Sequence, residues 1–370
     1  MKTPMNKGVI VMDISFIDSN FKSTFTAPED LKWFSPLFSP FSLHGVYYEE
    51  SEKRFRRMPQ SIADNVNEGV QFLSWHTAGG RVRFKTDSPF VAIKTVEPYT
   101  WFMSHMTTVG ECGFSLFSSE GYTGTFVPPS NIIMENDCSG KMAYDGIVYT
   151  KGKKETFSLY FPLYNGVNEL YIGLKEGCVL EKADDYKHKK PVVFYGSSIT
   201  QGACAAKPGD DYVNRLSALL DADIINLGFS GSARAEDVMI NYLCSLNPSV
   251  FVIDYDHNAP DVDYLDKTHY KLYKAVRDAH PKTPIVFITM PTFKGFSKLS
   301  PAKDRKDVIY KTYKTALSSG DKNVYFISGD GFFGNNREWE CGIADGIHPN
   351  SFGFYLMAKA VYPTLKKILK

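Results

Sequence analysis

The sequence predicts an α/β protein of two domains: an N-terminal all-β sandwich, residues 1–182, and a C-terminal three-layer α/β/α domain, residues 190–370, with a five-stranded parallel sheet. Three observations lead to this prediction. A chain of 370 residues is too long for one typical domain. Its first half alternates apolar and polar residues in short runs, as half-buried strands do. Its second half alternates largely apolar runs with helix-length segments, as a parallel sheet covered on both faces does.

The strand pattern of the first half is clearest in two stretches. "GRVRFKTDSPFVAIKTV" (80–96) puts Val82 and Phe84 on one face, opposite three basic side chains, and then turns at "TDSP" into a second strand. "ETFSLYFPLYNGVNELYIGL" (155–174) alternates in the same way around a turn at "YNG". Only "SIADNVNEGVQFL" suggests a short helical turn between such strands. These stretches predict two packed antiparallel sheets.

The pattern changes after the charged segment "EKADDYKHKK" (181–190), which we interpret as a linker. Five buried-strand runs follow: "PVVFYG", "DIINLG", "SVFVIDY", "PIVFITM" and "NVYFIS". The segments that separate and follow them have helical spacing, at about 211–221, 235–246, 263–279, 301–319 and 351–369. In such a sheet the ligand lies beyond the carboxyl ends of the strands, so the residues just after each run are the candidates for chemistry.

Composition and charge exclude several functions. With 43% apolar and 22% charged residues, the chain matches an ordinary globular protein and not a disordered one. Forty-two basic against 41 acidic residues give a net charge of +1, so there is no overall field to recruit nucleic acid or an anionic membrane. No run reaches the 18 or so apolar residues of a membrane span. No signal peptide is recognisable; we expect a cytoplasmic protein if the sequence is complete, and a periplasmic or secreted one if a leader was trimmed.

The six cysteines show no metal-binding spacing. They are far apart, with no CxxC pair and no Cys/His pattern of a zinc site, so we predict that most are reduced thiols in the core. "DYDHNAP" (254–260) imitates the opening of a calcium loop, but Ala259 stands at the required glycine position and Leu265 at that of the bidentate glutamate. We therefore expect neither a metal nor an organic cofactor.

Four strand ends carry unusual residues. Gly196-Ser197-Ser198 follows the first run, and "NLGFSGSAR", with Gly228 and Gly231, ends the second. Asn258 follows the third run. "ADGIHPNSFGF" follows the fifth; there Asp345 and His348, three apart in a turn, can bring a carboxylate to one imidazole nitrogen and leave the other free. Each alone is also compatible with an ordinary loop or a capping turn. Together, at one edge of one sheet, they predict an active site.

The order and spacing of these four motifs resemble the SGNH (GDSL) hydrolase superfamily over residues 190–370. Its blocks carry the nucleophile in G-D-S, a glycine, an asparagine in G-x-N-D, and D-x-x-H. The resemblance implies a flavodoxin-like fold, with the nucleophile at Ser198, the general base at His348 and its orienting acid at Asp345. It further implies an oxyanion hole made of Ser198, Gly231 and Asn258, and a glycine at 231 would let substrate approach the backbone.

Three positions depart from the superfamily pattern. Ser197 stands where aspartate is usual, and Asp256 and Ala259 stand where the third block usually has glycine and aspartate. None of these changes removes a group that handles protons or stabilises charge, so they bear on subfamily and substrate more than on activity. We expect Ser197 to support the turn by hydrogen bonding.

The first half is similar to the jelly-roll-like β-sandwich that precedes certain bacterial SGNH esterases. "HMTTVGECGFSLF" (105–117) and "FPLYNGVNELYIGL" carry this resemblance, although the G-x-D-L-Y motif reads "GFSLF" here, residues 113–117. We expect this domain to dock on the catalytic domain and to wall one side of the cleft. A carbohydrate-binding role, with Trp75 and Trp101 as aromatic platforms, is the alternative.

The resemblance implies a serine esterase that removes small acyl groups, chiefly acetyl, from carbohydrate or similar hydroxyls. An acyltransferase that uses the same acyl-enzyme, and a carbohydrate-binding protein on a degenerate hydrolase scaffold, remain as alternatives. Trp339 lies just before the Asp/His turn and either stacks on a sugar ring or packs its loop. The expected partner is a small-molecule or carbohydrate acyl ester, without nucleic acid or membrane; the sequence does not indicate an oligomeric state.

Overall fold

The computed structural model describes residues 26–98, 103–128, 142–292, 302–333 and 337–370. Trp101 and Cys138 lie outside these ranges. The described part of the first half is almost entirely strand, broken by three short helices: α1 (Gln60–Ala63), α2 (Glu68–Leu73) and α3 (Thr108–Cys112). The strands are β1 (Leu31–Phe34), β2 (Ser42–His44), β3 (Tyr47–Glu49), β4 (Arg54–Arg56), β5 (Arg81–Thr86), β6 (Phe90–Glu97), β7 (Phe114–Ser118), β8 (Gly121–Phe126), β9 (Met142–Tyr149), β10 (Glu155–Tyr160), β11 (Glu169–Lys175) and β12 (Leu180–Glu181).

All of these strands except β3 and β4, which pair with each other, form the two antiparallel sheets that the alternating pattern predicts. One sheet has the order β1-β11-β6-β9; the other has the order β12-β5-β10-β7-β8, with β2 also paired to β5. The predicted inward residues Val82 and Phe84 of β5 are fully buried. They share one apolar core with Ile93 of β6 and Ile172 of β11, which belong to the other sheet. The first half is therefore β-rich and antiparallel, as expected.

The second half forms a parallel sheet of five strands: β13 (His188–Gly196), β14 (Ala222–Gly228), β15 (Val250–Asp254), β16 (Ile285–Ile288) and β17 (Val324–Ile327). The sheet order β14-β13-β15-β16-β17 is the doubly wound order of the flavodoxin-like fold, which confirms the predicted fold class. β13 begins at His188, inside the segment that the sequence suggested as a linker.

Helices cover both faces of this sheet. They are α4 (Ser198–Gln201), α5 (Tyr212–Leu220), α6 (Asp237–Ser245), α7 (Val262–Ala279), α8 (Ala302–Ser318), α9 (Glu338–Gly342) and α10 (Ser351–Ile368). Alternate residues of β13 point to opposite faces: Val193 joins the core beneath α6, α7 and α8, whereas Val192 joins the core beneath α5 and α10. Among the described helices, none is long and apolar enough to cross a bilayer.

The two halves share these cores. Met58, Val70 and Leu73, from the first half, are buried with the α6–α8 side of the parallel sheet. Leu163 and Tyr164 are buried with the opposite side. β12 ends at Glu181 and β13 begins at His188, so the antiparallel sheets and the parallel sheet come from separate parts of the chain, while the apolar packing crosses between them.

Candidate active site

Three of the parallel strands end level with one another. Gly196 of β13 is in register with both Gly228 of β14 and Asp254 of β15. The segments that follow these residues therefore emerge side by side at one edge of the sheet. They carry Ser198 at the start of α4, Gly231 in the loop after β14, and Asn258 in a short 3₁₀ turn, Asp256–Asn258.

The two adjacent serines have different structural roles. Ser197 is fully buried and caps α4, because its hydroxyl accepts a hydrogen bond from the Ile199 N–H at 3.2 Å. Its own N–H donates to the Asp254 carbonyl at 3.1 Å, which ties the turn to β15. Ser198, one residue later, is 8% exposed, and its hydroxyl lies against the His348 ring. Ser197 thus supports the turn, as expected, whereas the Ser198 hydroxyl contacts His348.

Ser198, His348 and Asp345 form one chain of contacts. The Ser198 Oγ atom lies 2.9 Å from His348 Nε2, and His348 Nδ1 lies 2.7 Å from Asp345 Oδ2. The turn that holds the last two residues is closed by a bridge between Ile343 and Pro349. With a proton on Nδ1 donated to the carboxylate, Nε2 is free to accept a proton from the serine hydroxyl.

Asp345 is held as a carboxylate. Burial acts to raise its pKa, but hydrogen bonds from the His348 backbone N–H, the His348 ring and the Ile347 N–H outweigh burial and lower the pKa to about 2. Asp345 Oδ1 accepts the two backbone N–H groups, at 2.8 Å from His348 N and 3.0 Å from Ile347 N, whereas Oδ2 accepts the ring. Each carboxylate oxygen therefore has a separate task.

Three potential hydrogen-bond donors lie in the segments that follow β13, β14 and β15. Within the described part of the chain, neither the Ser198 N–H nor the Gly231 N–H donates to a protein acceptor. The Asn258 amide donates one hydrogen to the Phe229 carbonyl at 2.7 Å, which fixes the amide and leaves its second hydrogen available. Such a set of unpaired N–H groups suits an oxygen that becomes negatively charged.

The two glycines of the second loop are required for different reasons. Gly231 has a φ of +66°, and a Cβ at this position would meet nothing within 4 Å. Glycine is therefore favoured here by the left-handed backbone conformation and not by crowding from neighbouring atoms. A Cβ on Gly228 would lie 2.2 Å from the Gln201 backbone nitrogen. Glycine at 228 thus allows β14 and α4 to approach each other closely.

Residues of the first half hold this loop in place, and no motif or spacing in the sequence indicates them. The buried Arg57 guanidinium donates to the carbonyls of Asn226 at 3.1 Å and Gly228 at 2.8 Å. Gln201 Nε2 contacts the His76 ring at 3.2 Å, and Gln201 Oε1 accepts the N–H of the loop residue Ser230 at 3.1 Å.

His76 remains neutral in this environment. Burial, and next the charge of Arg57, lower the pKa of His76 to about 3. A neutral ring can offer Nδ1 as the acceptor for the Gln201 amide.

His105 of the first half also lies at the site. Its Nε2 is 4.0 Å from Asp345 Oδ2, and its ring centre is 5.6 Å from that of His348. The Cys204 thiol donates to the His105 carbonyl at 3.4 Å. Among the described residues, these two side chains, with Asp345 and His348, form a cluster of metal-ligand type, whose ligand atoms all lie within 4.8 Å of one another.

The segment 254–260, whose sequence imitates the opening of a calcium loop, uses its two aspartates in hydrogen bonds to other parts of the fold. Asp254 Oδ2 accepts hydrogen bonds from Thr200 at 2.9 Å and Tyr212 at 2.7 Å, and Asp256 Oδ2 accepts the Met290 N–H at 2.8 Å. Both carboxylates are thus used within the fold.

Both described tryptophan candidates contact other groups of the protein. The Trp75 ring lies beneath the Arg54 guanidinium at 4.1 Å. Trp339 is half-buried against the α5/α10 core, as the packing alternative predicts. The described cysteines are all free, as expected; Cys112 and Cys204 are buried, but Cys178 and Cys244 are half-buried and Cys341 is exposed.

Comparison with known proteins agrees with this architecture. Residues 189–366 match the family model of the GDSL-like Lipase/Acylhydrolase family, and residues 31–180 match that of the N-terminus of Esterase_SGNH_hydro-type proteins. A search of curated proteins found no match.

Solved structures with the same fold include three informative examples. A protein described as a GDSL-like lipase from Bacteroides ovatus ATCC 8483 is 25% identical, with a TM-score of 0.79 over 92% of this chain and 98% of that one. The salicylyl-acyltransferase SsfX3 from a tetracycline biosynthetic pathway is 18% identical, with a TM-score of 0.71 over 92% and 98%. A family two carbohydrate esterase from Clostridium thermocellum is 14% identical, with a TM-score of 0.58 over 89% and 99%. Residues 189–366 are therefore a domain of the GDSL-like lipase/acylhydrolase family, joined to the N-terminal domain of SGNH-type esterases, and the chain is an ester hydrolase.

Proposed function

We propose that this protein is a serine esterase that removes small acyl groups, chiefly acetyl, from carbohydrate hydroxyls, with Ser198, His348 and Asp345 as its catalytic triad. The observation that carries the proposal is the unbroken chain of contacts from Ser198 Oγ to His348 Nε2, 2.9 Å, and from His348 Nδ1 to Asp345 Oδ2, 2.7 Å. A serine hydroxyl is a weak nucleophile at its ordinary pKa, and a neutral imidazole within hydrogen-bond reach activates it.

The reaction follows from the position of each group. Ser198 Oγ attacks the ester carbonyl while its proton passes to His348 Nε2, and Asp345 stabilises the imidazolium that forms. The same proton then goes to the leaving alcohol oxygen as the carbon–oxygen bond of the ester breaks. Water attacks the resulting acyl-serine in a second round of the same proton transfers, releasing the carboxylic acid and restoring the serine.

The three donors near Ser198 would stabilise the tetrahedral intermediates. The backbone N–H groups of Ser198 and Gly231 and the free hydrogen of the Asn258 amide are the proposed oxyanion hole. Because these donors are held by the fold before substrate binds, little reorganisation is needed when the negative charge develops.

Two considerations support an acylated carbohydrate as substrate. Solved structures of this fold include a family two carbohydrate esterase in complex with cellohexaose and an acetyl xylan esterase from Butyrivibrio proteoclasticus. The candidate-site residues His105, Asp345 and Asn258 are at least partly exposed and polar, which suits a hydroxyl-rich alcohol better than a lipid chain.

Acyl transfer is the second candidate, because SsfX3, a salicylyl-acyltransferase, shares the fold over both domains. The two reactions differ only in whether water or an acceptor hydroxyl attacks the acyl-serine. Incubation with an acetyl ester and a sugar acceptor, followed by measurement of acetylated sugar against free acetate, separates them. We expect acetate to predominate; acetylated sugar in excess would favour the transferase.

Ester hydrolysis across p-nitrophenyl esters of increasing acyl length tests the main proposal. We expect acetyl to be the best substrate, and Ser198→Ala to lower kcat/KM by at least about 1,000-fold. Ser197→Ala is the matched control: it removes a helix cap worth about 1 kcal/mol, so it should lower thermal stability while activity stays within about tenfold of wild type. An active Ser198→Ala enzyme would refute the assigned nucleophile, and a preference for octanoyl or longer esters would refute the small-acyl specificity.

A further inference from the structure

We propose that His105, Cys204, Asp345 and His348 form an inhibitory binding site for Zn²⁺ or a similar divalent cation. The four residues supply two imidazoles, a thiol and a carboxylate, which is a donor set typical of tetrahedral zinc. The inhibition rests on the proposed function of His348 as general base, whereas binding of the cation does not.

The distances are close to those of a coordinated ion. The four ligand atoms lie within 4.8 Å of one another, and the His105 Nε2 to Asp345 Oδ2 distance is 4.0 Å. Around tetrahedral zinc, with bonds of about 2.0–2.3 Å, neighbouring ligand atoms are roughly 3.3–3.8 Å apart. Side-chain movements that shift the ligand atoms by about an ångström would therefore complete the site.

The surroundings allow an ion to enter. The side chains of His105, Asp345 and His348 are 33%, 24% and 16% exposed. Cys204 closes the inner side of the cluster, with its backbone in the left-handed region at φ of +66°. That conformation is uncommon for a residue other than glycine, and such residues concentrate at functional sites.

Occupation of the site would disable the relay. Asp345 Oδ2 and His348 Nδ1 are 2.7 Å apart, too close for two ligands of one tetrahedral ion, so the cation must separate them and replace the proton between them. As the ion binds, the Cys204 thiol proton would be released to solvent, and the neutral His348 ring would take the tautomer that carries its proton on Nε2. Nε2–H would then face Ser198 Oγ, so His348 could no longer accept the serine proton.

Cobalt(II) titration of the Ser198→Ala protein tests binding without any need for turnover. We expect one Co²⁺ per chain, with the visible absorption of a tetrahedral ion and a thiolate-to-cobalt charge-transfer band. Cys204→Ser should remove the charge-transfer band, and His105→Gln, at a part-exposed position, should weaken Co²⁺ binding at least tenfold. Cys341→Ser is the matched control, because Cys341 is the exposed cysteine of the described chain, and it should leave the spectrum unchanged. Loss of the band in Cys341→Ser, or its persistence in Cys204→Ser, would overturn the site.

Zinc inhibition of p-nitrophenyl acetate hydrolysis tests the consequence. We expect Zn²⁺ to inhibit the wild type reversibly, with activity restored by EDTA. Cys204→Ser should keep its basal activity and require at least tenfold more Zn²⁺ for the same inhibition. Equal zinc sensitivity of the two proteins, or full wild-type activity once the cobalt-defined site is filled with Zn²⁺, would overturn the inhibitory role. If the wild type lacks esterase activity, the proposed function fails, while the cobalt titration still decides the metal site.

Discussion

Asp345→Asn is the substitution that most sharply tests how the site works. The aspartate uses its oxygens separately: Oδ1 accepts the N–H groups of His348 and Ile347, and Oδ2 accepts the His348 ring. Asparagine can keep the first task, because its carbonyl oxygen accepts both backbone N–H groups. Its amide nitrogen then replaces Oδ2 and presents hydrogens to the ring. The reverse orientation is worse, because it would set the amide against two backbone donors.

The expected size of the effect follows from this geometry. At 2.7 Å, the asparagine amide and a protonated Nδ1 would be two donors facing each other, so the His348 ring adopts the tautomer with its proton on Nε2. Nε2–H then points at Ser198 Oγ and cannot accept the serine proton. In a Ser-His-Asp triad this change costs about 10,000-fold in kcat, or roughly 5 kcal/mol of transition-state stabilisation.

The kinetic assay is p-nitrophenyl acetate hydrolysis at pH 7.5, with the melting temperature measured on the same samples. Because the pKa of Asp345 is lowered on folding, this carboxylate stabilises the folded protein at any pH above the carboxyl pKa of the unfolded chain. The stabilisation disappears as pH falls through about 2. Because asparagine keeps two of the three hydrogen bonds, its stability loss at neutral pH should stay below about 2 kcal/mol.

Asp330→Asn is the matched control, since this carboxylate also accepts hydrogen bonds, from Lys306 and Thr292, but lies outside the proposed triad. It should leave kcat/KM unchanged. A fall of less than tenfold in Asp345→Asn would refute the tautomer argument. So would an equal fall in both variants.

Three further predictions concern the donors, the glycines and the buried carboxyl groups. Asn258→Ala should lower kcat for p-nitrophenyl acetate about 100- to 1,000-fold with little change in KM, and a loss below fivefold would exclude Asn258 from the oxyanion hole. Gly228→Ala should lower the melting temperature by several degrees, because its Cβ would meet a backbone nitrogen of α4 at 2.2 Å, whereas Gly331→Ala, with nothing within 4 Å, should not; equal melting temperatures would contradict this. Burial, and next the charge of Asp256, raise the pKa of Asp254 to about 8. The folded protein therefore keeps a proton that the unfolded chain releases near pH 4, and stability falls as pH rises from about 4 to 8. Asp254→Asn should show a shallower fall in calorimetry over that range, and an unchanged slope would show that Asp254 is ionised in the folded protein.

The sequence predicted much of the fold because local patterns carry it. Largely apolar runs such as "SVFVIDY" become strands, here β15, and helical spacing over about 263–279 becomes α7, Val262–Ala279. In a buried parallel strand and in an amphipathic helix, the order of apolar and polar side chains along the chain indicates which of them face the core. Two of the described helices, α1 and α2, are too short to show a clear period, and the sequence suggested only a turn there.

The candidate site was predictable for a related reason. Asp345 and His348 are three residues apart, so one turn can bring them together. Ser198 is 150 residues from His348, but parallel strands end at one edge of a sheet, and that rule places their following loops together.

The fold class, the edge of the sheet that holds the candidate site, and the residue types at that edge therefore follow from the sequence alone. Which side chains of the first half complete that edge depends on the tertiary structure. His105 meets Cys204 across 99 residues, and Arg57 meets Gly228 across 171. Each of these is an isolated contact between segments that are distant along the chain, and it depends on how the two halves pack. They leave no period or spacing in the sequence, because neither partner's own neighbours along the chain depend on them.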